Sequence, residues 1–197
     1  MSHDTTRFYD TFAPLYPLLD VFLHKHKRIL AQRVNAQPAG RLLEIGVGRG
    51  EYLSKYKHTD ITGIDTSRGM LAFAQKNAPP GTKLHVMDAT SLDFDDTSFE
   101  YAVIAHVLTV VPDPSLVMNE VHRILVPGGK AFILNRAATN NAFNRMLDPI
   151  VSKALRFSSG FDEKKTFSNR QFSILERKLC GILPNVTLFI LEKKSDA

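Results

Sequence analysis

The stretch LLEIGVGRGEY, Leu42 to Tyr52, decides how the rest of the chain is read. Its first half is an apolar run of strand composition, broken by Glu44. Its second half sets Gly46, Gly48 and Gly50 at alternate positions. Glycine lets a backbone turn tightly and approach a ligand closely. Open α/β sheets hold ligands in the crevice at the carboxyl ends of their strands, near the switch point of strand order. The competing view is a plain strand-to-helix turn that holds nothing, and the rest of the chain decides between them.

Downstream, strand-like runs alternate with helical ones. GEYLSKY starts a helix, DITGID is a second strand, and SRGMLAFAQKNA has helical spacing at Met70, Leu71, Ala74 and Ala78. TKLHVMDA and FEYAVIAHVL are strands three and four. PSLVMNEVHRIL is a helix ended by VPGGK, and KAFILNR is strand five. Such alternation implies a parallel sheet covered by helices. FSILERKLCG and VTLFILEK add two tail strands, separated by a short loop containing Pro184 and pairing antiparallel at the sheet end. The expected fold is α/β, doubly wound, with a mostly parallel seven-stranded sheet and an antiparallel C-terminal strand. Two pieces stand outside this core: an N-terminal lid over residues 8–35 and a substrate cap over residues 136–170, both within a single domain spanning 1–197.

Composition narrows the class. Of 197 residues, 44% are hydrophobic and 23% charged, an ordinary globular balance. One cysteine, Cys180, excludes an internal disulfide, and the histidines show no metal-ligand spacing. No uncharged apolar run approaches the roughly 20 residues of a spanning helix. The N-terminus lacks an apolar signal core. A cytoplasmic monomer is expected, and the net charge of +5 favours an anionic partner.

The loop discriminates among nucleotide ligands. Its spacing is G-x-G-x-G, with Glu51 where a dinucleotide fingerprint carries its third glycine. Glu44 would repel a pyrophosphate, and the Gly-Lys-Ser/Thr of a phosphate loop is missing. A cationic, phosphate-free nucleoside reverses the electrostatic argument, and S-adenosylmethionine is such a ligand. Asp65 ends strand two about 20 residues on, where a carboxylate accepts both ribose hydroxyls. Asp88 ends strand three and suits the adenine amino group, with the Ala89 backbone nearby.

EIGVGRG, GIDTS, MDATSLDFDDTSFEYAV, VVPDP and EVHRILVPGGKAFI, taken in order, resemble the motifs of class I S-adenosylmethionine-dependent methyltransferases. The resemblance implies the Rossmann-like methyltransferase fold and its cofactor. Glu44, Gly46, Gly48 and Gly50 would cradle the methionine end. Asp65 would hold the ribose, with Thr66 in the same set and Met70 near the adenine. Asp88 and Ala89 would bind adenine, and His106 and Val107 would lie near the methyl group.

The acceptor is read from what strand four lacks. It has AHVL rather than the Asn/Asp-Pro-Pro-aromatic motif of amino-methylating nucleic-acid enzymes. Cys180 is far from the place of a cytosine-5 nucleophile, so no nucleic-acid partner is expected. Over a longer span, EIGVGRGEYLSKY, ITGIDTSRGML, HVLTVVPDP, FILNR and the tail resemble the bacterial phospholipid N-methyltransferases, which convert phosphatidylethanolamine toward phosphatidylcholine. FYDTFAPLY resembles the lid of that family, although Pro17 stands where relatives often carry Asp. Leu15, Leu18, Leu19, Phe22, Ile29 and Leu30 share one helical face beside His24, Lys25, Lys27 and Arg28. Such a basic amphipathic helix suits an anionic membrane surface, the alternative being a helix packed on the sheet. The protein is then peripheral to a membrane. Tyr9, Tyr16, His106 and Asn135 are the candidate acceptor-side groups. The other functional reading is a soluble small-molecule methyltransferase of the quinone-biosynthesis or small-amine type.

Overall fold

The computed structural model describes residues 26, 28–58, 60–136, 162–167, 171–180 and 186–194. A helix over 28–35 (α1) precedes strand β1, Leu42–Ile45. There follow β2 (Ile61–Asp65), α2 (Arg68–Asn77), β3 (Lys83–Val86), β4 (Phe99–Ala105), α3 (Pro114–Ile124) and β5 (Leu125–Arg136). The short helix α4 (Glu163–Thr166) and strands β6 (Phe172–Leu179) and β7 (Val186–Lys193) complete the described elements.

The seven strands form one sheet in the order β3-β2-β1-β4-β5-β7-β6. Pairs β1–β2, β2–β3, β1–β4 and β4–β5 are parallel. β7 runs antiparallel between β5 and β6, so the last strand inserts inside the sheet and β6 takes the edge. The chain winds outward through β2 and β3, then returns to place β4 on the other side of β1. The gap between β1 and β4 is therefore the switch point, where a crevice opens.

Alternation along the strands builds two cores. Leu43, Ile45, Ile104, Ile133 and Phe189 pack one face with Val117, Met118 and Val121 of α3. Leu42, Val103, Phe132 and Leu188 pack the other with Leu30 and Val34 of α1 and Leu71 and Ala74 of α2. α2 and α3 are capped in sequence-legible ways. Ser67 Oγ accepts the Met70 N–H at 3.2 Å, and Asp113 Oδ1 accepts the Ser115 N–H at 2.9 Å ahead of Pro114.

Three expectations change. GEYLSKY does not open a helix; it makes a single 3-10 turn, Leu53–Lys55. Tyr52, Leu53 and Tyr56 turn inward while Ser54 and Lys55 stay exposed, and the backbone becomes extended at Tyr56, which ends the segment after one turn. β3 stops at Val86, so Asp88 lies in the following loop rather than at the strand end. On α1, Leu30 is buried against the sheet and Ile29 packs at its margin, so these two side chains cover the core rather than facing outward. The ring nitrogens of His58 lie 3.2 Å from Val34 O and 3.3 Å from Gly40 O, fixing the path from α1 into β1. Residues 8–25 and 27 of the lid and 137–161 and 168–170 of the cap lie outside the described residues.

Gly50 shows why the loop tolerates no side chain. Its φ is +76°, and a Cβ there would stand 2.8 Å from Ala74 Cα. Gly50→Ala is expected to lower folding stability by about 2 kcal/mol, because both the left-handed backbone and the helix contact are penalised. Urea denaturation of the purified variant measures it.

Candidate functional site

The crevice is built from the ends of β1, β2 and β4. Gly46, Gly48 and Gly50 have φ of +72°, +52° and +76°, a run that only glycine adopts without strain. The Gly46 and Val47 N–H groups donate to Ile64 O at 2.8 and 3.0 Å, which ties the loop to β2. A Cβ on Gly46 would meet Val107 Cγ2 at 2.4 Å, whereas one on Gly48 would meet nothing within 4 Å. The loop thus presses against the β4 end on one side and borders open space on the other.

Glu44 is the electrostatic centre. It is 1% exposed, and its Oε2 has no hydrogen-bond partner among the described residues. Burial pushes its carboxyl up to about 8. The nearby Tyr56 hydroxyl draws it back slightly, although the two groups are not aligned as a hydrogen bond and the Tyr56 oxygen is likewise unsatisfied. A buried carboxyl without a partner is costly, and such groups are retained where a ligand completes them.

Asp65 sits at the end of β2. Its Oδ2 accepts the Gly48 N–H and its Oδ1 accepts the Ser67 N–H, both at 2.9 Å. One lone pair per oxygen stays available, so the side chain orients the loop and can still accept hydroxyl groups. Thr66 is exposed beside it, and Met70 is half-buried in the first turn of α2. Asp88 Oδ1 accepts both the N–H and the hydroxyl of Thr90, at 2.9 and 2.8 Å. These bonds hold the exposed Asp88 carboxyl below the usual range, backbone bond first. Ala89 is buried in the core beside it.

His106 follows β4 with φ +61°, a left-handed backbone that is uncommon outside glycine. Its N–H donates to Leu134 O at 2.8 Å, so the β4–β5 pairing holds the distorted residue in place. Strained backbone held this way clusters at functional sites. Asn135, opposite Thr187 near the end of β5, is fully buried. Its Nδ2 has only a long 3.5 Å contact to Arg136 O, and its Oδ1 has no partner among the described residues. Tyr9 and Tyr16 lie outside the described residues. The sheet therefore gathers Glu44, the glycines, Asp65, His106 and Val107 around the switch point, with the Asp88 loop flanking β2. Asn135 is set one strand further along.

Residues 43–133 match the methyltransferase domain family. The chain is 41% identical over 160 residues to a phosphatidylethanolamine N-methyltransferase of Cereibacter sphaeroides, covering 77% of this chain and 78% of that protein. It is 31% identical over 161 residues to a ubiquinone/menaquinone biosynthesis C-methyltransferase of Desulfotalea psychrophila, covering 77% of this chain and 64% of that protein. The chain belongs to the S-adenosylmethionine-dependent methyltransferases. The fold agrees: the N-methyltransferase NodS of Bradyrhizobium japonicum, solved with S-adenosyl-L-homocysteine, superposes with a TM-score of 0.72 at 18% identity, covering 88% of each chain.

The methyltransferase site fits its cofactor on its own chemistry. An unsatisfied buried carboxyl suits an ammonium group, a side-chain-free loop admits a close ligand, and Asp65 and Asp88 keep acceptor capacity. Glu44 and the loop would hold the amino-acid end, Asp65 the ribose, and Asp88 with Ala89 the adenine. The cofactor supplies a methyl group made electrophilic by its sulfonium. The protein's part is to align an acceptor against it and exclude water.

Tyr52 and Tyr56 are absent from the sequence reading of the site. Both are buried on the Glu44 face of the sheet. Their spacing of four in EYLSKY, directly after the loop, is the signal that marks them as inward-facing partners.

Two predictions arise here. A carboxyl kept protonated in the folded state, against an ordinary value of 4.5 when unfolded, costs stability as pH rises toward about 8. Ligand-free wild type should therefore lose stability relative to Glu44→Gln across that window, by up to about 1.4 kcal/mol per pH unit, and level off above it. Urea melts of the two proteins from pH 5 to 9 reveal the difference; parallel curves would contradict the assignment. Asp65→Ala should weaken S-adenosylhomocysteine binding by roughly 10-fold or more, about 1.4 kcal/mol. Exposed Asp93 offers the control, and calorimetry should find Asp93→Ala close to wild type.

Proposed function

We propose that this methyltransferase N-methylates phosphatidylethanolamine and its methylated intermediates, toward phosphatidylcholine, at a membrane surface. The observation that carries the reading is the 41% identity to the Cereibacter sphaeroides enzyme across 78% of its length. Supporting it are the net charge of +5 and the basic residues Lys25 and Lys27 just ahead of α1 and Arg28 at its start. Among the described residues no helix is long and apolar enough to cross a membrane, and attachment through the N-terminal segment would be peripheral, from the cytoplasmic side. With Leu30 committed to the core, the lipid-facing part of that segment would be the residues before it.

The headgroup amine is an ammonium with a pKa of about 10, so it must lose a proton before its nitrogen can accept a methyl group. His106, at the β4 end, would take that proton or wall the pocket. Asn135, with an unsatisfied buried Oδ1, would orient the headgroup. Tyr9 and Tyr16 would close over the acceptor.

A second reading, methylation of a soluble small molecule such as a quinone precursor or small amine, is favoured by the 31% identity to the Desulfotalea psychrophila C-methyltransferase, of which this chain spans 64%. Incubation with labelled S-adenosylmethionine and vesicles containing phosphatidylethanolamine separates the two. Labelled mono-, di- and trimethylated lipids, with co-sedimentation on anionic vesicles, are expected. Inactivity on vesicles together with turnover of a demethylquinone or a small amine would reject the phospholipid reading.

A further inference from the structure

The loop that carries Asp88 and Ala89 is tied to α3 through the side chains of Arg123 and Glu120. Arg123, in the last turn of α3, spends all five guanidinium donors. Nε and Nη2 donate to the two oxygens of Glu120 at 3.0 and 2.9 Å. Nη2 also donates to Leu92 O at 2.8 Å, and Nη1 donates to Phe94 O at 2.7 Å and Asp96 Oδ1 at 2.8 Å. Glu120 Oε2 in turn accepts the Leu92 N–H at 2.7 Å. The main chain joins in: Thr97 N–H donates to Arg123 O at 3.0 Å and Ser98 N–H to Ile124 O at 2.7 Å. Inside the loop, Thr90 caps Asp88 and the Asp93 N–H reaches Met87 Sδ at 3.4 Å. The hydrogen bonds from Arg123 hold the Glu120 carboxyl below its usual range, and those to Glu120 and Asp96 raise the guanidinium further.

We propose that Arg123, oriented by Glu120, is a positioning residue for the adenosine half of the cofactor: it clamps loop 88–98 to α3 and so fixes Asp88 and Ala89. The inference rests on the reading that Asp88 and Ala89 face adenine. A clamp of this kind needs a planar fork that reaches two carbonyls and two carboxylates together, which a lysine, with its three donors on one point charge, does not provide. The E-x-x-R pattern in NEVHRIL therefore belongs to the cofactor site although it lies on a distant helix.

Arg123→Lys, Glu120→Gln, Asp88→Ala and Asp93→Ala are compared by calorimetric titration with S-adenosylhomocysteine and with adenosine, well below each protein's melting temperature. Hydrogen exchange of the backbone amides is followed in parallel. Arg123→Lys should weaken both ligands about tenfold, with faster exchange at 88–98 and unchanged exchange in β1 and β2. Glu120→Gln should weaken them about threefold, and serves if Arg123→Lys does not fold. Asp93→Ala should match wild type. Unchanged ligand affinity in folded Arg123→Lys, or in Glu120→Gln where the former is unfolded, overturns the clamp. Faster exchange spread over the whole sheet also overturns it, because the role is then general stability. If Asp88→Ala leaves adenosine affinity unchanged, the adenine reading itself fails and the clamp falls with it; if Asp88→Ala weakens adenosine while Arg123→Lys does not, only the clamp fails.

Discussion

A buried carboxyl, one oxygen of which has no partner among the described residues, governs the rest of this structure. Glu44 lies in the first strand, closed off from water, with a tyrosine hydroxyl near it that does not satisfy it. A buried charge needs compensation, and in its absence the group holds its proton instead. A cation delivered into the crevice would compensate the ionised carboxyl. A nucleoside bearing an ammonium and a sulfonium supplies such a cation and brings no phosphate with it.

The surrounding architecture gives such a ligand access. The left-handed glycines carry the chain from β1 past β4 with no side chain in the way, and the contact of Gly46 with Val107 shows how closely the two strand ends approach. Asp65 stiffens the loop through the Gly48 N–H and faces the same opening. On the other flank His106 is held in a left-handed conformation by β5, and one strand further along the buried Oδ1 of Asn135 has no partner among the described residues. One half of the crevice is thus specified by charge and backbone shape. The other is left for an acceptor whose identity depends on segments beyond the sheet.

What the sequence revealed follows the range of the forces involved. The succession of strands and helices and the glycine loop were legible because alternation and glycine spacing are local signals tied to a fixed geometry. The antiparallel tail was legible as two strands. The insertion of β7 between β5 and β6 was not, because residue composition does not specify which edge a strand joins. The helix expected after the loop is cut to a single 3-10 turn because the backbone becomes extended at Tyr56, although Tyr52, Leu53 and Tyr56 face inward with helical spacing. Periodicity correctly marked an apolar face at Ile29 and Leu30, but periodicity does not say whether sheet or lipid covers it, and the sheet covers Leu30. The network around Arg123 was invisible because its loop partners stand 27 to 31 residues away.

The central claim is one of electrostatic fit between a buried carboxyl and a cationic nucleoside. A crystal structure with S-adenosylhomocysteine tests it most directly. The account predicts the ligand's ammonium within hydrogen-bonding reach of Glu44, its ribose on Asp65 and its adenine beside Asp88 and Ala89. A ligand bound elsewhere, or in this crevice with its adenine end at Glu44, would contradict it.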